Sequence, residues 1–385
     1  MLQPSPTLKI TSLANAMKAD GIDVISFAAG EPDFPTPSPI VDAAIDALNA
    51  GKTKYTPSSG IKELKEAISA KLFRENQVDV KPDQVVVSCG AKQSLYQTMM
   101  ILLNPGDEVI LIAPYWMTYA DQVKLAGGLP IVVHTSAENG FVPHIESIRE
   151  KVTARTKAIV VNSPSNPTGA AYPPALISEI AELALERGFW VITDEIYERL
   201  IYDGAVHQSV AALGKEIAAQ TVTIGGCSKS FSMTGWRIGF SASPAIVAKA
   251  MSNLQDQVTS NPTSFAQWGA VAAYNLPAES VEGMRAEFQA RRDLIVHALR
   301  AIPGVKIRPP KGAFYALADF SAHIGGRFAD EAALADHLLA EAKVATIPGG
   351  VFEAPGYLRL SYATSRKAIE EGVARIAEAL AAVHA

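Results

Sequence analysis

The feature that most constrains this chain is a series of short, continuous apolar runs, each followed by a turn and a helical pattern. The runs are centred on residues 85–87, 109–112, 131–133, 158–161, 190–192 and 222–224. Uninterrupted apolar runs of this length are typical of strands that are buried on both faces. Because strands that alternate with helices form crossover units, the pattern predicts a mainly parallel sheet covered by helices.

One helix between these strands is delimited clearly by its own residues. The stretch from Pro174 to Arg187 carries apolar residues on one helical face, and Gly188 follows it directly. Proline is favoured in the first turn of a helix, and glycine is favoured just after the end. The sequence therefore predicts a helix over 174–187 that connects two parallel strands.

The two ends of the chain lack the alternation of apolar runs and helical patterns that the middle shows. A helical pattern from about 278 to 301 leads into a glycine- and proline-containing stretch, and residues 367–383 predict a closing helix. The first 40 residues contain several prolines and are predicted to form an extended arm. We therefore expect a large domain over 41–285, and a smaller domain formed by 286–385 together with the arm, 1–40.

The charge balance and the cysteine content exclude several classes of protein. With 34 Lys and Arg against 39 Asp and Glu, the net charge of −5 gives no bulk attraction to nucleic acid or to anionic membranes. Two cysteines, Cys89 and Cys227, cannot supply a disulfide framework for 385 residues. The sequence has no uncharged apolar run of about 20 residues and no secretory pattern in its first ten residues. We expect a cytoplasmic enzyme with no nucleic-acid or membrane partner.

Four short motifs follow the ends of predicted strands, where open parallel sheets bind their ligands. The first, Gly90-Ala91-Lys92, begins a helix, so its backbone N–H groups can hold a phosphate. The second, 162–169, contains two X-Pro steps, and an Asn before a Pro takes extended geometry that lets the Asn166 amide face a cleft. Alone, either motif is also explained as an ordinary turn.

The third and fourth motifs carry charged groups. Asp194 ends a strongly apolar strand, where a carboxylate is costly to bury unless it meets a cation. Lys229 lies among small and apolar residues, eight positions before Arg237, and a buried amine beside a cation shifts toward its neutral, nucleophilic form. Taken singly, Asp194 is also explained as a helix cap, and Lys229 as a surface lysine.

Together, a phosphate cradle, an acid, an amide, a phenol and a reactive lysine meet the requirements of pyridoxal 5′-phosphate. With these motifs the sequence resembles the fold-type I pyridoxal-phosphate-dependent aminotransferases of the aspartate aminotransferase family, in the bacterial I-gamma branch. The resemblance extends from the Ala-Gly-Glu-Pro-Asp-Phe motif at 29–34 to the Arg-Leu-Ser-Tyr-Ala-Thr motif at 359–364. It implies an α/β fold with a mainly parallel central sheet and a smaller α/β domain formed by the two chain ends.

The resemblance also implies roles around the cofactor ring, with no metal. Lys229 would form the Schiff base and carry the proton between the substrate Cα and the cofactor C4′. Asp194 would pair with the pyridine nitrogen, and Tyr197 and Asn166 would hydrogen-bond the 3′-oxygen. Trp116 would stack on the ring and border the substrate.

Further residues would hold the phosphate of the cofactor. They are the backbone of Gly90, Ala91 and Lys92 and the side chains of Ser228 and Arg237. Tyr55 resembles a tyrosine that reaches this phosphate from the neighbouring subunit. The resemblance thus implies a homodimer with shared active sites.

For the substrate, Arg359 matches the arginine that binds the α-carboxylate, and Gly30 and Asn166 would lie beside it. In the I-gamma branch a lysine and a threonine bind the side-chain carboxylate, and Lys92 and Thr7 occupy the matching positions. The implied reaction is L-aspartate + 2-oxoglutarate ⇌ oxaloacetate + L-glutamate.

Other functions remain open at this point. A transaminase of aromatic amino acids, kynurenine or prephenate, or a β-lyase, would use the same scaffold. Relatives that use prephenate carry a lysine where this chain has Gln3, which disfavours that substrate. A protein that only binds a phosphorylated metabolite, with Lys229 and Arg237 as anion clamps, is a further alternative. Nucleotide binding is disfavoured because no Gly-x-Gly-x-x-Gly or Walker-type Gly-Lys-Ser/Thr pattern occurs where it would be needed.

Overall fold

A computed structural model describes residues 6–384 and is built around a seven-stranded sheet. The strands are β1 (Ile25–Ser26), β2 (Val85–Ser88), β3 (Glu108–Ala113), β4 (Leu129–His134), β5 (Thr156–Asn162), β6 (Trp190–Asp194), β7 (Thr221–Gly226), β8 (Gly239–Ala242), β9 (Tyr315–Asp319), β10 (Val344–Ala345), β11 (Ile347–Pro348) and β12 (Tyr357–Ser361). The large sheet has the order β2-β8-β7-β6-β5-β3-β4. All six apolar runs of the sequence are strands of this sheet.

The large sheet is mainly parallel, as the sequence predicts. Strands β4, β3, β5, β6 and β7 pair in parallel, whereas β8 pairs antiparallel with both β2 and β7. Strand β8 was not predicted, because its four residues, Gly-Phe-Ser-Ala, include no β-branched side chain. The register places Asn162 of β5 directly beside Asp194 of β6, so both side chains reach the same edge.

Helices cover both faces of the large sheet, and others pack against the strands of the smaller region. They are α1 (Pro6–Ala19), α2 (Ser38–Asn49), α3 (Lys62–Asn76), α4 (Ala91–Leu102), α5 (Thr118–Leu125), α6 (Ile145–Arg149), α7 (Pro174–Arg187), α8 (Lys215–Ala218), α9 (Ala245–Val258), α10 (Ser264–Asn275), α11 (Glu282–Arg300), α12 (Glu331–Ala340) and α13 (Arg366–His384). The predicted helix 174–187 is confirmed as α7. Across residues 6–384, no helix combines the length and the apolar character that a bilayer crossing requires.

The core explains why the strand sequences are continuously apolar. On β5, Ile159 and Val161 belong to a cluster with α7, whereas Ala158 and Val160 belong to a cluster with α4, α5 and α9. Successive side chains of a strand point to opposite faces of the sheet, and here both faces are covered by apolar side chains. Polar residues at the carboxyl ends of β5 and β6, Asn162 and Asp194, are the ones that reach the site.

A second, smaller region contains the other strands. Strands β11, β12 and β9 form an antiparallel sheet, and β1 pairs in parallel with β10. The prediction of an extended N-terminal arm is wrong for Pro6–Ala19, which is helix α1. Pro6 occupies the first helical position, where proline is tolerated, and no proline or glycine interrupts 7–19. The proline content of the first 40 residues therefore did not indicate extended structure in this segment.

Candidate active site

A cavity of about 390 Å³ lies at the carboxyl ends of β5, β6 and β7, between the large sheet and the small one. It brings together residues from nearly the whole length of the chain. The site residues predicted from the sequence that line it are Thr7, Gly30, Ala91, Lys92, Trp116, Asn166, Asp194, Tyr197, Ser228, Lys229, Arg237 and Arg359. The four motifs that follow strand ends thus meet in one cavity, as the strand-end argument predicts, and Thr7 and Arg359, expected from the family resemblance, line it too.

Lys229 follows β7 and points its amine into this cavity. Its Nζ donates a hydrogen bond to the carbonyl oxygen of Gly30 at 2.5 Å. Burial lowers the pKa of this amine to about 8, with further lowering by Arg237 and Arg359 and partial opposition from Glu31 and Asp194. Roughly a tenth of the amine is therefore neutral at pH 7, and the neutral amine is the nucleophilic form.

Asp194 ends β6 and is buried. Its Oδ2 accepts a hydrogen bond from the Tyr119 hydroxyl at 2.7 Å, and its Oδ1 accepts one from the Ile196 backbone N–H at 3.2 Å. Burial raises the pKa of this carboxyl to about 6, although the two hydrogen bonds favour the ionised form. Among the described residues Asp194 has no ion pair, so its charge is available for a cation inside the cavity.

Arg359, on β12, is a buried cation in neutral surroundings. Only 3% of its surface is exposed, and its guanidinium donates hydrogen bonds to Asn166 Oδ1 at 3.1 Å and to the Ala28 carbonyl oxygen at 2.9 Å. It stacks 4.6 Å from the Tyr315 ring centroid and 5.1 Å from that of Phe352. Within residues 6–384 it has no acidic partner, and its Nε has no hydrogen-bond partner. Such a group is a ready binding site for a carboxylate.

Two glycines allow a cationic cradle to form at the start of α4. A Cβ on Gly90, which has a φ of +84°, would lie 2.5 Å from Nη2 of Arg237, so glycine lets the guanidinium approach. A Cβ on Gly239 of β8 would lie 2.2 Å from the Ala91 nitrogen, so this glycine lets the strand pack against the helix start. The helix N-terminus, the guanidinium and the nearby Ser228 hydroxyl suit a phosphate dianion.

The cavity also contains the residues expected to border the substrate. Lys92 Nζ lies 4.8 Å from the Trp116 ring centroid, and burial, followed by the charge of Arg237, lowers the pKa of Lys92. Thr7, on α1, lines the same cavity. Tyr55 lies elsewhere: it is 93% exposed and does not line the cavity of its own chain.

Three further residues organise the site and were missed from the sequence. Tyr119 contacts Asp194, and its position three residues after Trp116 at the start of a helix was a usable signal. Asn162 was predictable from its place at a strand end: its amide donates to the Asp194 carbonyl oxygen and accepts from the Asn166 N–H, both at 2.9 Å. Tyr315 shares a 2.9 Å hydrogen bond with Tyr197. Its sequence position gave no signal, because β9 reaches the cavity only through the tertiary fold.

The residues present fit pyridoxal 5′-phosphate. The buried Asp194 forms no ion pair among the described residues, which suits a partner for a protonated ring nitrogen. The cradle at Gly90 and Arg237 admits an anion, and the Lys229 amine opens into the same cavity. Tyr197 has a buried hydroxyl on the cavity wall, which suits the 3′-oxygen. The donor set thus matches each polar end of the cofactor.

Comparisons with known proteins agree with this chemistry. Residues 22–376 match the family described as aminotransferase class I and II. An aspartate aminotransferase of Bacillus sp. (strain YM-2) is 50% identical over 97% of this chain and 96% of its own length. A probable aspartate/prephenate aminotransferase of Aquifex aeolicus is 49% identical over 98% of this chain and 96% of its own length. The solved structure of the Thermus thermophilus aspartate aminotransferase with maleate is similar with a TM-score of 0.94 at 43% identity, covering 98% of this chain and 97% of that one.

Proposed function

Because this chain belongs to the class I and II aminotransferase family, we propose that it catalyses L-aspartate + 2-oxoglutarate ⇌ oxaloacetate + L-glutamate with pyridoxal 5′-phosphate. The observation that carries the proposal is Arg359, a buried cation with no acidic partner among the described residues, in the same cavity as the Lys229 amine. An amino acid offers a carboxylate to the first group and a Cα proton to the second. The names of the relatives support aspartate as the amino acid.

The side chains around the cofactor ring control where protons lie on the cofactor and the substrate. Bound pyridoxal phosphate supplies an electron-withdrawing ring that stabilises negative charge at the substrate Cα. Asp194 would keep a proton on the ring nitrogen, and Tyr197 and Asn166 would hydrogen-bond the 3′-oxygen. Trp116 would orient the ring by stacking on its face. The Lys229 amine would take the proton from the substrate Cα as a general base.

Arg359 orients the substrate through its α-carboxylate, in a two-point contact for which a planar guanidinium is well suited. Asn166 accepts a hydrogen bond from Arg359 and Gly30 lines the same cavity, and we assign both to the surroundings of that carboxylate. We assign the side-chain carboxylate to Lys92 and Thr7. The Thermus thermophilus enzyme was solved with maleate, a dicarboxylate, which supports a dicarboxylic substrate for a chain this similar.

The proposal extends to assembly and location. We propose a homodimer in which Tyr55 binds the cofactor phosphate of the neighbouring subunit; its 93% exposure leaves it available for that contact. We also propose that 41–285 form a large domain, and that 1–40 with 286–385 form a small one. Both cysteines are free thiols, which supports a reducing compartment and hence the cytoplasm.

Prephenate is a second candidate substrate, because the Aquifex aeolicus relative is named as a probable aspartate/prephenate aminotransferase. The residue that disfavours it, Gln3, lies outside the described residues. Prephenate is itself a dicarboxylate, so Arg359 and Lys92 could bind its two ends. It therefore belongs in the substrate panel.

The test is a set of initial rates for the purified holoenzyme with aspartate, phenylalanine, kynurenine and cystathionine, and with prephenate as amino acceptor. Aspartate with 2-oxoglutarate is expected to give the highest kcat/KM. An aspartate rate well below the rate for any other amino donor would contradict the proposed substrate. A rate with prephenate comparable to that with 2-oxoglutarate would add the second function.

A further inference from the structure

The carboxylate of Asp194 is held from two sides. One hydrogen bond comes from the backbone N–H of Ile196, two residues along the same chain segment, at 3.2 Å. The other comes from the Tyr119 hydroxyl at 2.7 Å, which is the shorter bond and the only side-chain hydrogen bond to this carboxylate among the described residues. Neighbouring charges act in opposite directions: Glu195 disfavours the ionised form of Asp194, and Lys229 favours it.

Tyr119 is fixed as a donor in this bond. Only 2% of its surface is exposed, and its ring packs edge-on against Trp116 with 5.5 Å between ring centroids. Burial, followed by the negative charge of Asp194, raises the pKa of the phenol well above its ordinary value, so the hydroxyl keeps its proton. A protonated phenol and an ionised carboxylate have only one arrangement, with Tyr119 donating.

This bond matters because burial works against the charge on Asp194. Desolvation raises the pKa of the carboxyl to about 6, close to the pH at which the enzyme must work. A hydrogen bond donated to the ionised form favours that form. Asp194 and a neighbouring ring nitrogen compete for one proton. When the ionised carboxylate is stabilised, the proton stays on the nitrogen; when it is not, the proton moves to Asp194.

We propose that Tyr119 is a positioning residue that keeps Asp194 ionised, and thereby keeps the proton on the ring nitrogen of the bound cofactor. This inference rests on the proposed function. Tyr119 lines the cavity, but its hydroxyl donates to the Asp194 carboxylate, and it acts through that contact. Its removal should lower kcat and leave the KM for aspartate nearly unchanged, because Arg359 is not among its contacts.

The test uses Tyr119→Phe, which removes one oxygen atom and keeps the ring. The matched control is Tyr172→Phe: Tyr172 is also buried and borders the same small internal cavity as Tyr119, but it has no hydrogen bond to Asp194 among the described residues. Wild type and both variants are loaded with pyridoxal phosphate labelled with ¹⁵N in the ring. Solid-state ¹⁵N NMR then reports protonation of that nitrogen, independently of turnover.

We expect a protonated signal for the wild type and for Tyr172→Phe, and a shift toward the unprotonated signal for Tyr119→Phe. Loss of one hydrogen bond to a charged group should lower kcat about tenfold. In an Asp194→Asn background the carboxylate is absent, so the further change Tyr119→Phe should leave kcat and the ¹⁵N signal unchanged. This double variant is a second test that Tyr119 acts through Asp194.

An unshifted ¹⁵N signal in Tyr119→Phe, or an equal shift in Tyr172→Phe, would overturn the inference while the proposed function stands. A wild-type protein that takes up no cofactor would overturn the proposed function, and the inference with it. An additional loss of kcat in the Asp194→Asn background would show that Tyr119 acts by another route, which also overturns the inference.

Discussion

Two groups of buried charges flank the end of strand β6, and they are built in opposite ways. We call the first the paired network; its members are Lys71, Asn76, Glu195, Glu198, His207 and Ser209. Lys71 is 1% exposed and contacts both Glu198 and the Asn76 amide oxygen. Glu195 accepts hydrogen bonds from Ser209 at 2.6 Å and Asn76 at 3.3 Å, and its Oε2 lies 3.0 Å from His207 Nε2. Each charge of this network meets an opposite charge within the chain.

The second group lines the cavity, and its first acid, Asp194, is the immediate chain neighbour of Glu195. Asp194, Lys229 and Arg359 are buried as well, yet none of them forms an ion pair within the described residues. Burying an unpaired charge is costly, so a fold retains one only where something compensates it. The contrast indicates that the paired network stabilises the fold. The charges of the cavity are left without partners in the chain, so that they can bind a cofactor and a substrate.

The greatest loss of activity should come without a loss of stability. Lys229→Ala should reduce the rate with aspartate by at least ~10⁴-fold, because it removes both the nucleophile and the base. The free energy of unfolding should not fall, since the replaced amine is buried without an ion pair. Rates and urea denaturation of the cofactor-free protein measure the two effects. Lys62→Ala, at a lysine whose side chain is 82% exposed, is the control and should change neither. A large loss of stability in Lys229→Ala would contradict the contrast between the two groups.

The reverse outcome is expected in the paired network. Lys71→Met removes the buried cation and leaves Glu198, whose side chain is 16% exposed, without it, which should destabilise the protein by about 3 kcal/mol in urea denaturation. Adding Glu198→Gln should recover part of the lost stability, because it removes the carboxylate that has no cationic partner in Lys71→Met. A Lys71→Met protein as stable as the wild type would show that the network is not what holds this region together.

Arg359→Lys tests the cavity by a smaller step. The ammonium keeps the charge but loses the planar two-point contact, so kcat/KM for aspartate should fall about 30- to 100-fold, equivalent to about 2–3 kcal/mol. The free energy of unfolding should stay the same or rise, because Arg359 is paired with no acid. An unchanged kcat/KM would remove Arg359 from the carboxylate site.

A weaker effect is expected in the pH dependence of stability. Although burial opposes it, Glu195 raises the pKa of His207 above its ordinary value of 6.5 in the folded state. A raised folded-state pKa means that the stabilisation is complete below pH 6.5 and is lost as the pH rises through the folded-state value. The stability difference between wild type and His207→Gln should therefore be largest below about pH 6.5 and shrink at higher pH. His144→Gln, at an exposed histidine, should show no such trend. A difference that grows with pH would contradict the pairing of His207 with Glu195.

The sequence predicted the strands and the cavity well because both depend on local signals. Continuous apolar runs indicate strands that are buried on both faces. Polar residues that follow such strands meet at one edge of a parallel sheet. Asp194, Asn166 and Lys229 were found in this way. The roles of Arg359, Lys92 and Thr7 came from the family resemblance instead, and remain proposals.

What the sequence did not predict depends on tertiary packing. Strand β8 has no strand-like composition and exists because it fills the space between β2 and β7. The prolines of the first 40 residues favour an extended arm, but the stretch 7–19 contains neither proline nor glycine and forms most of helix α1. The paired network was missed because Lys71 and Glu198 lie 127 positions apart in the chain, and nothing local indicates that they meet.

If the cavity holds its charges for pyridoxal phosphate bound at Lys229, peptide mapping should reveal that bond directly. Holoenzyme is reduced with borohydride, digested and analysed by mass spectrometry. We expect a pyridoxyl group on the peptide that contains Lys229 and on no other. Labelling of Lys92, the other lysine on the cavity wall, or absence of any labelled lysine from cofactor-saturated protein, would contradict the proposed chemistry.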